Sequence, residues 1–138
     1  MVEAYTTAYW GILVVILTLI IQGVIAATSK ASQTGAIPGK IDQSLSHSSF
    51  VFRSNRTLMN SLENFPAMLG SFFLAIFVGA NVFWTGAIIW IFAVARIIHM
   101  ALYYAISTEK NPSPRSYFFL IGLAANVALL VLCGISLV

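Results

Sequence analysis

The sequence predicts an all-α fold, an integral membrane bundle of four helices. Hydrophobic residues make up 59% of its 138 residues and charged residues only 8%, whereas about 25% of an average soluble protein is charged. The hydrophobic residues also form four long stretches separated by polar connections. A helix of about 20 apolar residues crosses a bilayer. The predicted spans, within one domain that covers residues 1–138, are about residues 8–27, 49–79, 83–106 and 115–138.

Charge and cysteine content exclude several kinds of site. The net charge is +3, and the Lys and Arg residues are dispersed between apolar stretches, so we expect no nucleic-acid partner. Cys133 is the only cysteine, which rules out an intrachain disulfide and a thiolate metal cluster. His47 and His99 are far apart in the sequence and lack the spacing of metal ligands. We therefore expect no metal site.

The first span begins with the interfacial aromatic residues Tyr9 and Trp10. Glu3 precedes it, without any Lys or Arg, which argues against a cleaved signal peptide. Inside the span, Gln22 is the only strongly polar residue, and Gly23 follows it. A small residue allows two helices to approach and an amide can hydrogen-bond between them, so this pair predicts a helix contact.

The second span begins with a stripe of polar side chains. Three, four and three positions separate its members, which are Arg53, Arg56, Asn60 and Glu63. This spacing places them within about 80° of one face of a helix. An ionised group inside a bilayer costs roughly 2.5 to 3.5 kcal/mol and is tolerated where it faces a bundle interior or a wet cavity. The stripe therefore predicts a functional polar site inside the bundle.

A second polar group comes from the third and fourth spans. Arg96, His99 and Tyr103 follow the three-and-four spacing of one helix face. At the head of the fourth span, Arg115 and Ser116 follow two nearby prolines. A helix N-terminus beside an arginine favours an anion and lowers the pKa of a nearby thiol below its free value of about 8.5.

Smaller features complete the predicted fold. Pro66 should bend the second span, because proline removes one backbone hydrogen bond and crowds the preceding turn. Residues 79–81 (Gly-Ala-Asn) predict a tight turn before the third span. In the fourth span, Asn126 and Cys133 are expected to face other helices.

The basic residues predict the orientation in the membrane. Lys30, Lys40 and Arg53 belong to the first connection and Lys110 and Arg115 to the third, whereas the second connection has none. Because Lys and Arg favour cytoplasmic connections, the first and third connections should face the cytoplasm and both termini the opposite side. The polar groups would then lie near the cytoplasmic face.

Three arginines of the two stripes, Arg53, Arg56 and Arg96, accompany a single acid, Glu63. We expect Glu63 to pair with one arginine, because pairing reduces the cost of burying both charges. The remaining guanidinium groups suit carboxylates, so the charges predict an anionic ligand with several carboxylates. The alternative is a purely structural network of charges within the bundle.

The same residues form known motifs. Arg56 to Pro66 follow the pattern Arg-x3-Asn-x2-Glu-x2-Pro, and Arg96 to Tyr103 follow Arg-x2-His-x3-Tyr. Both motifs resemble signatures of the MAPEG family, the membrane-associated proteins of eicosanoid and glutathione metabolism, and the resemblance covers all four spans. Arg115 and the serine after it are similar to the Arg-Ser element of prostaglandin E synthase-like members.

This resemblance implies a homotrimer of four-helix subunits that binds glutathione, as co-substrate, between neighbouring subunits. The implied activity is that of a glutathione transferase or peroxidase, whose substrates are lipophilic electrophiles or lipid hydroperoxides, in a bacterial inner membrane or the endoplasmic reticulum. Arg115 and Ser116 would stabilise the glutathione thiolate. The residues implied to bind glutathione are Arg53, Arg56, Asn60, Glu63, Arg96, His99 and Tyr103.

One departure from the family and two other functions bear on this reading. Asn64 stands where leukotriene-C synthase-like members have a tyrosine, which disfavours that subtype. A small four-span multidrug transporter would need an ionisable acid in its first span, which contains none. A nonenzymatic family member that binds a lipid or a partner is the other alternative.

Overall fold

The computed structural model describes residues 3–138, which form four α-helices. The prediction of an all-α fold with four helices is confirmed, and each predicted span overlaps one helix. Helix α1 comprises Thr6–Ala31, α2 Phe50–Phe77, α3 Val82–Ala105 and α4 Pro114–Ile135.

Three of these helices, α1, α3 and α4, are long and apolar enough to cross a membrane. Large apolar side chains cover their outward faces, for example Leu17 and Ile20 on α1 and Leu130 on α4. Extensive exposed apolar surface of this kind is typical of proteins that face lipid. Polar residues fill the first half of α2, which is not among the three. That the second span, α2, also crosses the membrane stays a prediction.

Helices α2 and α3 form the middle of the bundle. Each of them lies close to the other three helices, whereas the backbones of α1 and α4 do not come within 8 Å of each other, measured between Cα atoms of the described residues. The most extensive contact is between α3 and α4. The core between the helices contains five large apolar side chains that are at most 2% exposed, which are Met68, Phe72, Ile89, Phe92 and Leu129.

Helices α1 and α3 approach each other closely at Gly11 and Gly86. A Cβ atom added to Gly11 would lie only 2.6 Å from Cγ2 of Ile89. An added Cβ on Gly23 would have no atom within 4 Å. Gly23 therefore does not contact another helix of the same chain, and the predicted helix contact at this residue is wrong there. Its neighbour Gln22 is fully buried, in agreement with an inward-facing amide.

The predicted turn between α2 and α3 is a Schellman helix end. Gly79 has a φ of 65°, in the left-handed region that glycine adopts without strain. The N–H of Ala80 donates to the carbonyl of Ala75, and the N–H of Gly79 donates to that of Ile76, which are the two bonds of this motif. Asn81 then caps α3 by accepting a backbone hydrogen bond.

Helix α2 is continuous through Pro66 and presents small polar residues to the other helices. The buried residues of its first half include Ser54, Thr57, Ser61 and Asn64. They form a stripe next to the charged one, so the inward face of α2 is polar but uncharged.

Helix α4 contacts this helix through two buried side chains. Nδ2 of Asn126 donates to the carbonyl of Asn64 over 3.3 Å, and Sγ of Cys133 donates to the carbonyl of Ser71 over 3.4 Å. The prediction that Asn126 and Cys133 face other helices is confirmed.

Gly11→Ala should destabilise the bundle. The added methyl group would overlap Ile89, whose branched side chain has few rotamers, and overpacking of this kind costs about 1–3 kcal/mol. Gly23→Ala in the same helix is the control, since alanine in open space favours a helix by about 1 kcal/mol. We expect thermal unfolding in detergent, followed by circular dichroism, to show a lower midpoint for Gly11→Ala alone. If Gly11→Ala unfolds at the same midpoint as the wild type, the Ile89 side chain moves aside at no cost in stability and this prediction is wrong.

Candidate functional site

A cleft of about 230 Å³ lies between α2, α3 and α4. It is at the end of the bundle where α2 and α4 begin and α3 ends, beside the connections formed by residues 32–49 and 106–113. Six predicted site residues and one phenylalanine line it: Arg56, Asn60, His99, Tyr103, Arg115, Ser116 and Phe119. The fold therefore brings side chains from both polar stripes and from the head of α4 to one place.

Arg96 joins α3 to α2 next to the cleft. It is 3% exposed, and its Nη2 donates to Oδ1 of Asn60 over 2.8 Å and to Oγ of Ser61 over 2.9 Å. Its Nε and Nη1 atoms have no hydrogen-bond partner within residues 3–138. Arg96 and Gln22 both line a small void. Since Asn60 lines the cleft and Arg96 does not, Arg96 acts on the cleft by holding Asn60.

Arg56 lines the cleft, whereas Glu63 lies on α2 outside its lining. Both are exposed, and neither makes a hydrogen bond or an ion pair within the described residues. The expected pairing of Glu63 with an arginine is therefore not found within one chain. The reason is the rotation of α2, whose stripe of small residues beginning at Ser54 occupies the inward face.

Arg53 lies outside the cleft and holds the backbone around it. Its Nη1 donates to the carbonyls of His47 and Ser48 over 2.7 and 3.0 Å, and its Nη2 donates to the carbonyl of Tyr104 over 3.3 Å. All three acceptors are backbone atoms. Arg53 therefore fixes the end of the first connection against the end of α3.

A cation and two aromatic rings form one wall of the cleft. The guanidinium carbon of Arg115 lies 3.9 Å from the centroid of the Tyr103 ring, a distance at which the cation is attracted to the ring. His99 is 3% exposed and stacks with Tyr103 at a centroid distance of 5.7 Å. Tyr103 thus fixes the position of Arg115 in the wall.

His47 also belongs to this site, although no sequence pattern predicted a role for it. Its Nε2 lies 3.1 Å from the Tyr103 hydroxyl and 3.1 Å from Nη2 of Arg115, and its Nδ1 lies 2.8 Å from Oε2 of Glu109. Because His47 and Glu109 are 62 positions apart, in connections without a motif, no spacing could have paired them. The only signal is that an acid and a histidine occur in two predicted cytoplasmic connections.

The contact between His47 and Glu109 depends on pH. A hydrogen bond from the His47 side chain is the main reason that the pKa of the Glu109 carboxyl lies below its usual value. A carboxyl with a lowered pKa stabilises the fold above its ordinary pKa, and this contribution is lost as the pH falls through the lowered value. This bond therefore helps to hold the two connections together at neutral pH, and its contribution is lost when Glu109 is protonated.

Ser116 is bound into the first turn of α4. Its Oγ accepts the backbone N–H of Ser113 over 3.1 Å and lies 3.0 Å from Oγ of Ser113. A side chain that accepts from the N-cap residue in this way is typical of a capping box. The hydroxyl hydrogen of Ser116 is available to the cleft when Ser113 donates the bond between the two hydroxyls.

Comparison with known proteins agrees with the motifs. The MAPEG family matches residues 7–135, nearly the whole chain, and this segment includes every residue of the cleft. The resemblance drawn from the two motifs is thereby confirmed. No curated protein and no solved structure matches the chain at a significant level.

Ser116→Ala should weaken the start of α4. The substitution removes the acceptor for the N–H of Ser113, and loss of a capping interaction costs about 0.5–2 kcal/mol. Ser116→Thr keeps a hydroxyl and serves as the control. We expect a lower thermal midpoint in detergent for the alanine variant than for the threonine variant. The capping role would be refuted by an unchanged midpoint in Ser116→Ala.

Proposed function

The chain belongs to the MAPEG family, and on this premise we propose that it is a membrane-bound glutathione transferase. Three of its helices are long and apolar enough to cross a membrane. It is therefore a membrane protein of the family that serves eicosanoid and glutathione metabolism. The proposed active site is the cleft between α2, α3 and α4.

The charge of the cleft is the observation that carries this proposal. Arg56 and Arg115 line it, and no carboxylate of the described residues does. Guanidinium groups bind carboxylates through paired hydrogen bonds, so the cleft favours an anionic ligand. Glutathione offers two carboxylates and one ammonium group. Glu63, exposed on α2 about one turn beyond Asn60, is suited to receive the ammonium.

The predicted binding residues then have two kinds of role. Arg53 and Arg96 would act indirectly, because Arg53 holds the first connection and Arg96 holds Asn60. The remaining residues line the cleft or border it. Those proposed to contact glutathione are Arg56, Asn60, Glu63, His99 and Tyr103.

We also propose that the working unit is a homotrimer. The cleft of about 230 Å³ is smaller than the roughly 300–1,000 Å³ of typical ligand sites. Arg56 lines the cleft, and Glu63 is exposed on α2 about one turn beyond Asn60. A neighbouring copy packed against α2 would cover these charges and enlarge the site. One site would then be built from two subunits.

The proposed chemistry is attack by the glutathione thiolate. The thiol loses its proton to water, and Arg115, together with the N-terminal end of α4, stabilises the resulting anion. Ser116 can add a neutral hydrogen bond. The sulfur then forms a bond to the electrophilic carbon of a lipophilic substrate, while the leaving group departs with its electron pair or a conjugated double bond accepts the pair.

A lipid hydroperoxide is the other proposed substrate class. The thiolate would attack the terminal oxygen, the O–O bond would break, and the alcohol would leave after taking up a proton. A second glutathione would reduce the sulfenic acid to a disulfide and water. In both reactions the protein supplies position and charge and forms no covalent bond.

The proposed location of this site is the cytoplasmic face. The cleft lies beside the connections that carry Lys40 and Lys110, and Lys30 is in the last turn of α1. Basic residues at these positions favour the cytoplasm. A bacterial inner membrane or the endoplasmic reticulum would both give this arrangement. Lipophilic substrates would enter from the bilayer.

The purified protein should bind glutathione, and Arg56→Ala and Glu63→Ala should each weaken binding. A charge-assisted hydrogen bond contributes about 1.5–3 kcal/mol, which corresponds to a loss of roughly 10- to 150-fold in affinity. Calorimetry in detergent measures the affinity. Lys40→Ala removes an exposed positive charge from the first connection and is the control. Wild-type affinity in both test variants, with the oligomer intact, would rule out this binding site.

Arg115→Gln should raise the pKa of the bound glutathione thiol. In the wild-type protein we expect this pKa to lie below the free value of about 8.5, since each unit of lowering reflects about 1.4 kcal/mol of preference for the anion. Ultraviolet absorption of the thiolate follows the titration directly. Arg56→Ala, which alters binding but not the thiol, is the matched control. A bound thiol that titrates as in water, in wild type and variant alike, would favour a nonenzymatic family member.

A further inference from the structure

Glu109 binds His47 at two points. Oε1 accepts the backbone N–H of His47 over 3.0 Å, and Oε2 lies 2.8 Å from Nδ1 of the ring. An ionised carboxylate can only accept hydrogen bonds, so Nδ1 carries a hydrogen. In a neutral imidazole the lone pair is then on Nε2. Glu109 therefore selects one tautomer of His47.

The lone pair of His47 faces two residues of the cleft wall. Nη2 of Arg115 and the hydroxyl oxygen of Tyr103 each lie 3.1 Å from Nε2. A guanidinium group can only donate. The bond between Arg115 and His47 therefore exists only while the imidazole is neutral. A protonated ring would present an N–H and a positive charge to the guanidinium group.

His47 cannot easily move away from this contact. Arg53 and Ser107 donate to its carbonyl over 2.7 and 2.9 Å, and its ring packs edge-on against Phe52 at 4.9 Å. Arg53 binds the backbone carbonyl of His47, whereas Arg115 contacts the ring. Protonation of the ring therefore breaks the hydrogen bond to Arg115 and leaves the one to Arg53. The charged and titratable groups around His47, from α2, α3, the third connection and α4, are Arg53, Tyr103, Glu109 and Arg115.

We propose that His47 is a positioning residue for Arg115, with its tautomer set by Glu109, and that protonation of His47 releases Arg115 from the cleft wall. Neutral His47 holds the guanidinium group against Tyr103, where it faces the cleft. In acid the acceptor is lost and two cations repel each other. The kinetic test of this inference rests on the proposed function, whereas the spectroscopic test does not.

Nuclear magnetic resonance of the full-length protein in detergent, with nitrogen-15 in its histidines, tests the contact without glutathione. The chain has two histidines, so His47→Gln assigns the signals. We expect the neutral ring of His47 to carry its hydrogen on Nδ1, and Arg115→Gln to shift the Nε2 signal. Glu109→Gln should mix the tautomers, and the neighbouring Lys110→Gln should not. A hydrogen on Nε2 in the wild type would overturn the proposal.

The pH dependence of conjugation tests the release of Arg115. In the wild type, acid removes both the thiolate and the neutral form of His47, so the logarithm of kcat/KM should fall with a slope approaching about 2 per pH unit. In His47→Gln the amide oxygen accepts from Arg115 without titrating, so the slope should be about 1. His47→Leu provides no acceptor and should be slower than His47→Gln by about tenfold at neutral pH.

The outcomes separate this inference from the proposed function. A protein that binds no glutathione would refute the transferase, while the resonance experiment would still decide the contact with Arg115. A protein that conjugates glutathione with the same slope in wild type and His47→Gln would refute the role of His47 alone. If His47→Leu does not fold, the comparison of wild type with His47→Gln is sufficient.

Discussion

A guanidinium group buried among apolar helices needs hydrogen-bond acceptors, and this requirement at Arg96 sets how α3 lies against α2. Arg96 is 3% exposed and finds two acceptors, Asn60 and Ser61. A buried charge without partners is destabilising by several kcal/mol. Any register that separates α3 from these two residues is therefore unfavourable. The same contact holds Asn60 at the cleft, so a requirement of packing also shapes the site.

Polar contacts at one end of the bundle then determine where the head of α4 lies. Apolar helices in a membrane gain little from the hydrophobic effect when they associate, so small residues and polar bonds decide their alignment. Gly11 allows α1 to approach α3. Hydrogen bonds of Arg53, His47 and Glu109 hold residues 32–49 and 106–113 against α2, α3 and α4. Arg115 reaches the ring of Tyr103 as a consequence.

The outer face of α2 links the structure to the proposed assembly. Arg56 and Glu63 are exposed and unpaired within the described chain, although charges that face lipid are unfavourable. A neighbouring subunit would cover these two charges, and a zwitterionic ligand would pair with them. The proposed trimer and the proposed glutathione site thus depend on the same two side chains.

The four helices, the family and the shared faces of the polar residues could be predicted from the sequence, because they follow from local periodicity and fixed spacing. It predicted that Arg56, Asn60, His99, Tyr103, Arg115 and Ser116 matter, and the fold gathers them around one cleft. The rotation of each helix could not be predicted, because it depends on how all four helices pack. The tertiary structure turned Ser54 rather than Glu63 inward and engaged Arg53 and Arg96 with other residues of the chain. The contact of His47 with Glu109 also came from tertiary structure alone, because it joins two connections without periodicity whose meeting depends on how all four helices pack.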